Sequence, residues 1–123
     1  MKCLSIRQPW AELLARGIKD VENRSWSTDY RGPLLIHAGQ KIDEKALVQF
    51  AQRGIRFRLA TGAIIGAATL IDCTAERRSD WHQEGKIGWY VADAKLFEAP
   101  IPLAGKLRLF DADDVLVASH PIP

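Results

Sequence analysis

The sequence predicts an α+β fold: a small, strongly curved β-sheet or barrel of about six strands, with two helices at its side. Three observations lead there. Helical periodicity is confined to two stretches, both in the first half of the chain. Strand-like runs dominate the second half. Two helices cannot cover both faces of such a sheet, so the sheet has to curve and cover itself. The 123 residues read as one domain, 1–123, and a content of 47% hydrophobic and 26% charged residues is enough for a real core.

The elements follow in order. Lys2 to Ile6 alternates and reads as a first strand. Pro9 then opens a helix near its first turn, where the missing N–H costs nothing. Trp10, Leu13 and Leu14 give that helix one apolar face, and Gly17 caps it. Ile18 to Trp26 is extended, and the turn formers from Ser27 to Pro33 make a loop. Leu34 to Ala38 is a buried central strand. Asp43 caps a second helix whose buried stripe is Ala46, Leu47, Phe50 and Ala51, with Gly54 closing it. Gly62 to Cys73 is the long core strand, and Gly66 in its middle predicts a bulge or a close backbone approach. Glu76 to Lys86 is a polar loop carrying Trp81 and His82. Trp89 to Glu98 is a strand, Pro100 and Pro102 interrupt pairing, and Leu103 to Phe110 is the last strand. Asp111, Asp113 and Asp114 end regular structure, and the tail from Ser119 to Pro123 is expected to fray.

Composition narrows the function classes. No apolar run is long enough to cross a membrane as a helix, and the N-terminus meets Lys2 and Arg7 too early for a signal peptide, so a cytoplasmic location is expected. Cys3 and Cys73 lie in separate strand-like runs and read as small buried hydrophobes rather than a disulfide. His37, His82 and His120 show no metal-ligand spacing, so neither a metal site nor a cofactor is expected. Residues 1–60 hold 11 Lys/Arg against 6 Asp/Glu, whereas residues 61–123 hold 6 against 9. That basic surplus suits an anionic partner, although a solvated charged face produces the same asymmetry.

The surplus coincides with Gly17-Ile18-Lys19-Asp20-Val21-Glu22-Asn23-Arg24. Alternation in a strand puts Glu22 and Arg24 on one face, and a bend at the helix end brings Lys19 round to join them. A lysine, a carboxylate and a guanidinium at one spot either pin a structural corner or line a polar cleft. Arg24 can fork onto a phosphate or base edge, Lys19 supplies a point charge, and Glu22 accepts from an exocyclic amine or orients the cations. Arg7 and Gln8 precede the first helix, where an anion could dock; the alternative is that Gln8 caps the helix and Arg7 is solvated. Among the tryptophans, Trp10 and Trp89 sit in apolar patterns and suit the core, while Trp26 and Trp81 suit stacking on bases. His37, on an apolar strand, reads as a hydrogen-bonded core histidine rather than a catalytic base.

Taken together, Ser5-Ile6-Arg7-Gln8-Pro9-Trp10-Ala11, the G-x-K-x-x-E-x-R spacing of Gly17, Lys19, Glu22 and Arg24, Trp26, and Arg31-Gly32-Pro33-Leu34-Leu35-Ile36-His37-Ala38 resemble the ASCH domain family. The likeness extends more loosely to Ile71-Asp72-Cys73 and to Pro102 through Leu107. It implies a PUA-like β-barrel with a cleft between the first helix and the barrel, lined by the signature Lys, Glu and Arg. The family is associated with nucleic acids, with proposed roles in RNA processing and transcription coactivation. One subfamily hydrolyses the acetyl amide of N4-acetylcytidine and related nucleosides, using the signature Lys, a Thr three residues later and an acidic residue from a later strand. Here position 22 is Glu, so the hydroxyl is absent from its expected place, and Asp72 is only a candidate for the later acid.

The first expectation is therefore a binding module for single-stranded RNA, a nucleotide or a modified nucleoside, contacted by Arg7, Gln8, Lys19, Glu22, Arg24, Trp26 and Arg31. The second is an amidohydrolase of acylated nucleosides in which Lys19 and Glu22 handle protons, with Asp72 assisting. The third is a protein-interaction adaptor with a protein partner. No membrane partner is expected.

Overall fold

A computed structural model describes residues 1–112 of the chain. In order, the elements are β1 (Lys2–Gln8), α1 (Trp10–Ala15), β2 (Val21–Arg24), β3 (Gly32–Ile42), α2 (Glu44–Gln52), β4 (Ala63–Thr74), β5 (Ile87–Pro102) and β6 (Leu109–Asp111). The six strands form a mixed sheet in the order β2-β5-β4-β3-β1-β6. β1 and β3 run parallel, and every other pair is antiparallel. The class is α+β. The expected barrel is not closed by strand pairing among the described residues, because β2 and β6 end the order as two edges. The sheet nevertheless curls until side chains link its ends. Arg24 Nη2 donates to the Ser5 carbonyl at 2.7 Å, and the Arg108 guanidinium stands 5.1 Å from the centre of the Trp26 ring.

Alternation along β1 and β3 sorts the core. Leu4, Ile6, Leu34 and Ile36 face α1 together with Ile65, Leu70 and Trp89, whereas Cys3 and Leu35 face the other way with Ile64, Phe97, Ile101 and Phe110. At six residues α1 is too short to hold itself, and it depends on burying Ala11, Leu13, Leu14 and Ala15. Each leucine contributes about 1.5–3 kcal/mol. Gln8 starts this helix: it is fully buried, its Oε1 accepts the Glu12 N–H at 3.0 Å, and its Nε2 donates to the Ala60 carbonyl at 2.8 Å. Asp43 caps α2, with Oδ1 accepting from the Ala46 N–H at 3.1 Å and Oδ2 from Trp10 Nε1 at 3.2 Å.

Several expectations need correction. Ala46 and Phe50 are the buried residues of α2, Leu47 is half-buried, and Ala51 faces solvent, so the stripe is narrower than its periodicity implies. β5 continues through both prolines, with Ile101 opposite Ile64 and Pro102 opposite Ala63. This is tolerated because β2 covers β5 only from Ile87 to Tyr90, leaving one side of its far end unpaired, where a missing N–H costs no ladder bond. The last strand shrinks to Leu109–Asp111, and Leu103 to Arg108 leave regular structure once Leu103 N–H has bonded to the Gly62 carbonyl. The expected end at Asp111 is a strand residue, and Asp113, Asp114, His120 and the 119–123 tail lie outside the described residues. Gly66 does mark both a register shift and a close approach: a Cβ there would stand 2.4 Å from the Lys95 carbonyl oxygen. No helix of the described residues is long and apolar enough to cross a membrane.

Candidate functional site

The turn after α1 builds the floor of the site. Gly17, at φ +72°, takes the chain through the left-handed region that favours glycine. The N–H groups of Ile18 and Lys19 then both bond to the Leu13 carbonyl at 3.1 Å. This tight exit folds Lys19 back over the start of β2. Its Nζ lies 3.4 Å from Glu22 Oε1 and 4.9 Å from the centre of the Trp10 ring. Arg24 Nε donates to Glu22 Oε2 at 3.1 Å, so one carboxylate serves two cations, and Arg24 passes on to the Ser5 carbonyl. Lys19 is 4% exposed and Glu22 8%.

Above this floor lies a cleft of about 660 Å³, lined among others by Ser5, Arg7, Trp10, Asn23, Lys41 and Trp81. Its aromatic wall is a packed set. Trp10 meets Phe50 edge-on at 5.5 Å, and Phe50 lies 6.0 Å from Trp81. The polar loop that carries Trp81 is tied to the sheet at several points. Asn23 Nδ2 donates to the Trp81 carbonyl at 3.0 Å, and Asn23 Oδ1 accepts from the Gln83 N–H at 2.9 Å. Ser79 Oγ donates to Asp20 at 2.6 Å, and the Tyr90 hydroxyl accepts from the Arg78 N–H at 2.8 Å.

The structure brings together some of the residues singled out from the sequence and separates others. Lys19, Glu22, Arg24 and Arg7 share the cleft. Gln8 is buried beneath it with its amide engaged at the helix start. Trp26 lies outside the lining, packed edge-on against Trp89 at 4.7 Å with Arg108 over its face. Arg31 and Asp72 pair with each other at 3.4 Å away from the cleft lining, and Asp72 also binds Arg78 at 2.7 Å. That second ion pair pulls the Asp72 carboxyl below its usual range. Trp10 lines the cleft as well as closing the core. Asn23, Lys41, Asp80 and Gln83 are cleft residues that pattern reasoning missed. Strand alternation puts Asn23 on the face opposite Glu22 and Arg24, so the pattern did not point to it, and the other three reach the cleft through distant chain segments.

Electrostatically the floor is poised. Burial holds the Lys19 ammonium below the ordinary lysine range, Glu22 pulls against that fall, and Arg24 adds to it. With Glu22 as its only hydrogen-bond acceptor among the described residues, the ammonium keeps further N–H groups for a ligand in the cleft. Arg24 likewise commits Nε and Nη2, leaving Nη1 without a bond among the described residues. His37 Nε2 contacts the Leu103 carbonyl at 2.6 Å; a carbonyl only accepts, so this nitrogen carries the proton, and in the neutral ring Nδ1 accepts from Ser5 Oγ at 3.0 Å. Cys3 and Cys73 are both free thiols, and burial pushes Cys3 up to about 12. Among the described residues no group of three or more His, Cys, Asp or Glu is placed to hold a metal.

Known proteins resemble this chain over the segment that carries the site. Over 86 residues the chain is 41% identical to activating signal cointegrator 1 of Homo sapiens, covering 62% of this chain and 15% of that protein. The Mus musculus protein of the same name matches at the same identity and coverage. The chain thus spans a small part of the length of these relatives. The ASCH domain model matches residues 4–101, which contain the whole floor and the aromatic wall of the cleft. This chain belongs to the ASCH domain family.

Proposed function

We propose that the cleft binds single-stranded nucleic acid or a nucleotide, taking one base between the aromatic wall and the Lys19–Glu22–Arg24 floor. The observation that carries this is the floor itself. A buried lysine and a half-buried arginine share one carboxylate beneath an open cleft, and unused N–H groups remain on both. A purely structural ion-pair corner has no need of a cleft over it. A base edge offers carbonyl and ring-nitrogen acceptors to Lys19 and Arg24, and an exocyclic amine can donate to Glu22. Trp10 and Trp81 supply aromatic surface at the rim, where unpaired bases stack. Arg7 and Lys41 add charge for the backbone. The PUA-like character implied by the sequence accords with the curled sheet.

The test is fluorescence anisotropy of a short labelled single-stranded RNA, titrated at several salt concentrations. Binding is expected to weaken steeply with salt, and Lys19→Ala with Arg24→Ala should raise Kd at least about tenfold and flatten the slope. Unchanged affinity and slope in that double variant would overturn the proposal.

One observation favours amide hydrolysis as a second reading: the lowered Lys19 beside a carboxylate can exchange protons with a substrate. Asp72 stands outside the cleft lining, which leaves Lys19, Glu22 and Asp80 as its acid–base groups. Turnover of N4-acetylcytidine that disappears in Lys19→Ala would select this reading; no turnover at high protein concentration would remove it. The cointegrator name belongs to the relatives, and recovery of a protein partner after nuclease treatment would be needed to carry an adaptor role over to this chain.

A further inference from the structure

A second chamber of about 580 Å³ adjoins the cleft. The two share Ser5, Arg7, Arg24, Lys41 and Leu107 in their linings, so they open into one another. Their chemistry differs. The cleft contains Glu22 and Asp80, whereas the second chamber is lined by Arg7, Arg24, Lys41, Lys106 and Arg108 with no Asp or Glu among the described lining residues. From these observations we infer that the second chamber is a phosphate subsite for the ligand whose base occupies the cleft. The inference rests on the nucleotide-binding proposal and narrows it from nucleosides to phosphate-bearing ligands.

The positive charge around the chamber is only partly neutralised. Arg7, Lys41 and Lys106 make no hydrogen bond or ion pair within the described residues, although Arg7 is near enough to Asp43 to help lower its carboxyl, and Arg24, paired with Glu22, still has Nη1 to spare. Five cations around one concavity repel each other, and an anion seated among them relieves that repulsion while gaining charge-assisted hydrogen bonds. A phosphate suits the set because guanidinium groups can fork onto its oxygens while lysines act as point charges.

The fold also holds these cations in place. Arg7, Arg24 and Lys41 come from β1, β2 and β3. Lys106 and Arg108 come from the 103–108 strap, which is fastened at both ends. His37 Nε2 donates to the Leu103 carbonyl at 2.6 Å, and Arg108 lies over the Trp26 ring. Between those points Gly105 sits so close to His37 that a Cβ there would come within 2.8 Å of the imidazole. Trp26 thus contributes to the chamber as the seat of Arg108 rather than as a stacking surface.

The experiment titrates the full chain with the four ribonucleosides, their 5′- and 3′-monophosphates, and a short single-stranded RNA lacking terminal phosphates. At least one phosphate-bearing ligand is expected to bind tenfold or more tightly than its nucleoside. A monophosphate advantage assigns the chamber to a terminal phosphate; an advantage confined to the oligonucleotide assigns it to an internal phosphodiester, and both support the subsite. Lys106→Ala with Arg108→Ala, two exposed positions, should pull the nucleotide-to-nucleoside affinity ratio towards one. Equal affinities for nucleosides and all phosphate-bearing ligands would overturn the subsite and leave the base-binding cleft standing. A phosphate advantage that survives the double variant would also overturn it. Binding of none of these ligands would overturn both.

Discussion

Replacing Glu22 by Gln tests whether the floor is one electrostatic unit. The wild-type carboxylate faces two cations, and the Lys19, Glu22 and Arg24 side chains are only 5%, 10% and 23% exposed. Water therefore cannot take over what the carboxylate does. Breaking a buried pair by removing one partner costs about 3–5 kcal/mol, because the remaining charge is left uncompensated. An independent bound comes from the escape route open to Lys19, which is to lose its proton. Deprotonating a lysine with an ordinary pKa of about 10.4 at pH 7 costs about 5 kcal/mol at 1.36 kcal/mol per unit. Burial has already moved Lys19 part of that way, so the remaining cost is smaller. Glu22→Gln should thus lose about 3–5 kcal/mol at pH 7, equivalent to roughly 10–20 °C in Tm for a domain of this size. Lys19→Met is the control. It leaves Glu22 paired with Arg24 at 3.1 Å and lays an apolar chain against Trp10, so it should stay within about 1 kcal/mol of the parent. Urea unfolding of the three proteins at pH 7 decides the matter. Equal losses in the two variants would refute the reasoning, since they would mean that Glu22 is worth no more than one of its partners.

Three further outcomes follow from the same geometry. Because the folded-state pKa of Lys19 lies below its unfolded value, the unfolded chain binds more protons between the two, so this group's contribution makes stability rise with pH across that window and flat below it. The rise should be missing from Lys19→Met when unfolding free energies are compared up to about pH 10. Gly66→Ala drives a Cβ to 2.4 Å from the Lys95 carbonyl and 2.8 Å from Ala15, both in packed elements, and should cost about 1–3 kcal/mol or more; a thermal melt unchanged from the parent would count against the close approach. Asn23→Ala removes both bonds that fasten the Trp81 loop to β2, so amide exchange at Gln83 should speed up by about tenfold or more and RNA affinity should fall. Unaltered exchange there would show that the loop is held by something else.

How much of this was legible in the sequence depends on the distance over which each feature is decided. The floor was readable because it is local: Gly17 turns the chain, alternation pairs Glu22 with Arg24, and the bend returns Lys19, all within eight residues. The class and the six strands were readable from periodicity, and Gly66 from its place in an apolar run. Trp10 packs against the core as expected but also lines the cleft, and Trp26, singled out for stacking, packs on Trp89 under Arg108, for a physical reason. Polar neighbours in sequence say nothing about a covering group such as Arg108, which arrives from the far end of the chain. Trp81 was singled out, but the bonds that aim it come from Asn23, 58 residues away, and no local pattern encodes that.

The division carries over to function. The floor, decided by short-range spacing, is the part to which the proposal assigns affinity towards a polar, hydrogen-bonding ring. The features that surround it, Trp81 through Asn23 and the cationic strap through His37 and Trp26, are decided by long-range packing. Two chains that share the eight-residue signature can therefore present the same floor under different walls. In this chain the walls include a second chamber with five cations, and the proposed preference for phosphate lies there rather than in the signature. Exchanging the 103–108 strap for an uncharged segment should then change which ligands are preferred without removing the floor proposed to hold the base, a separation that the nucleotide-to-nucleoside ratio reads directly.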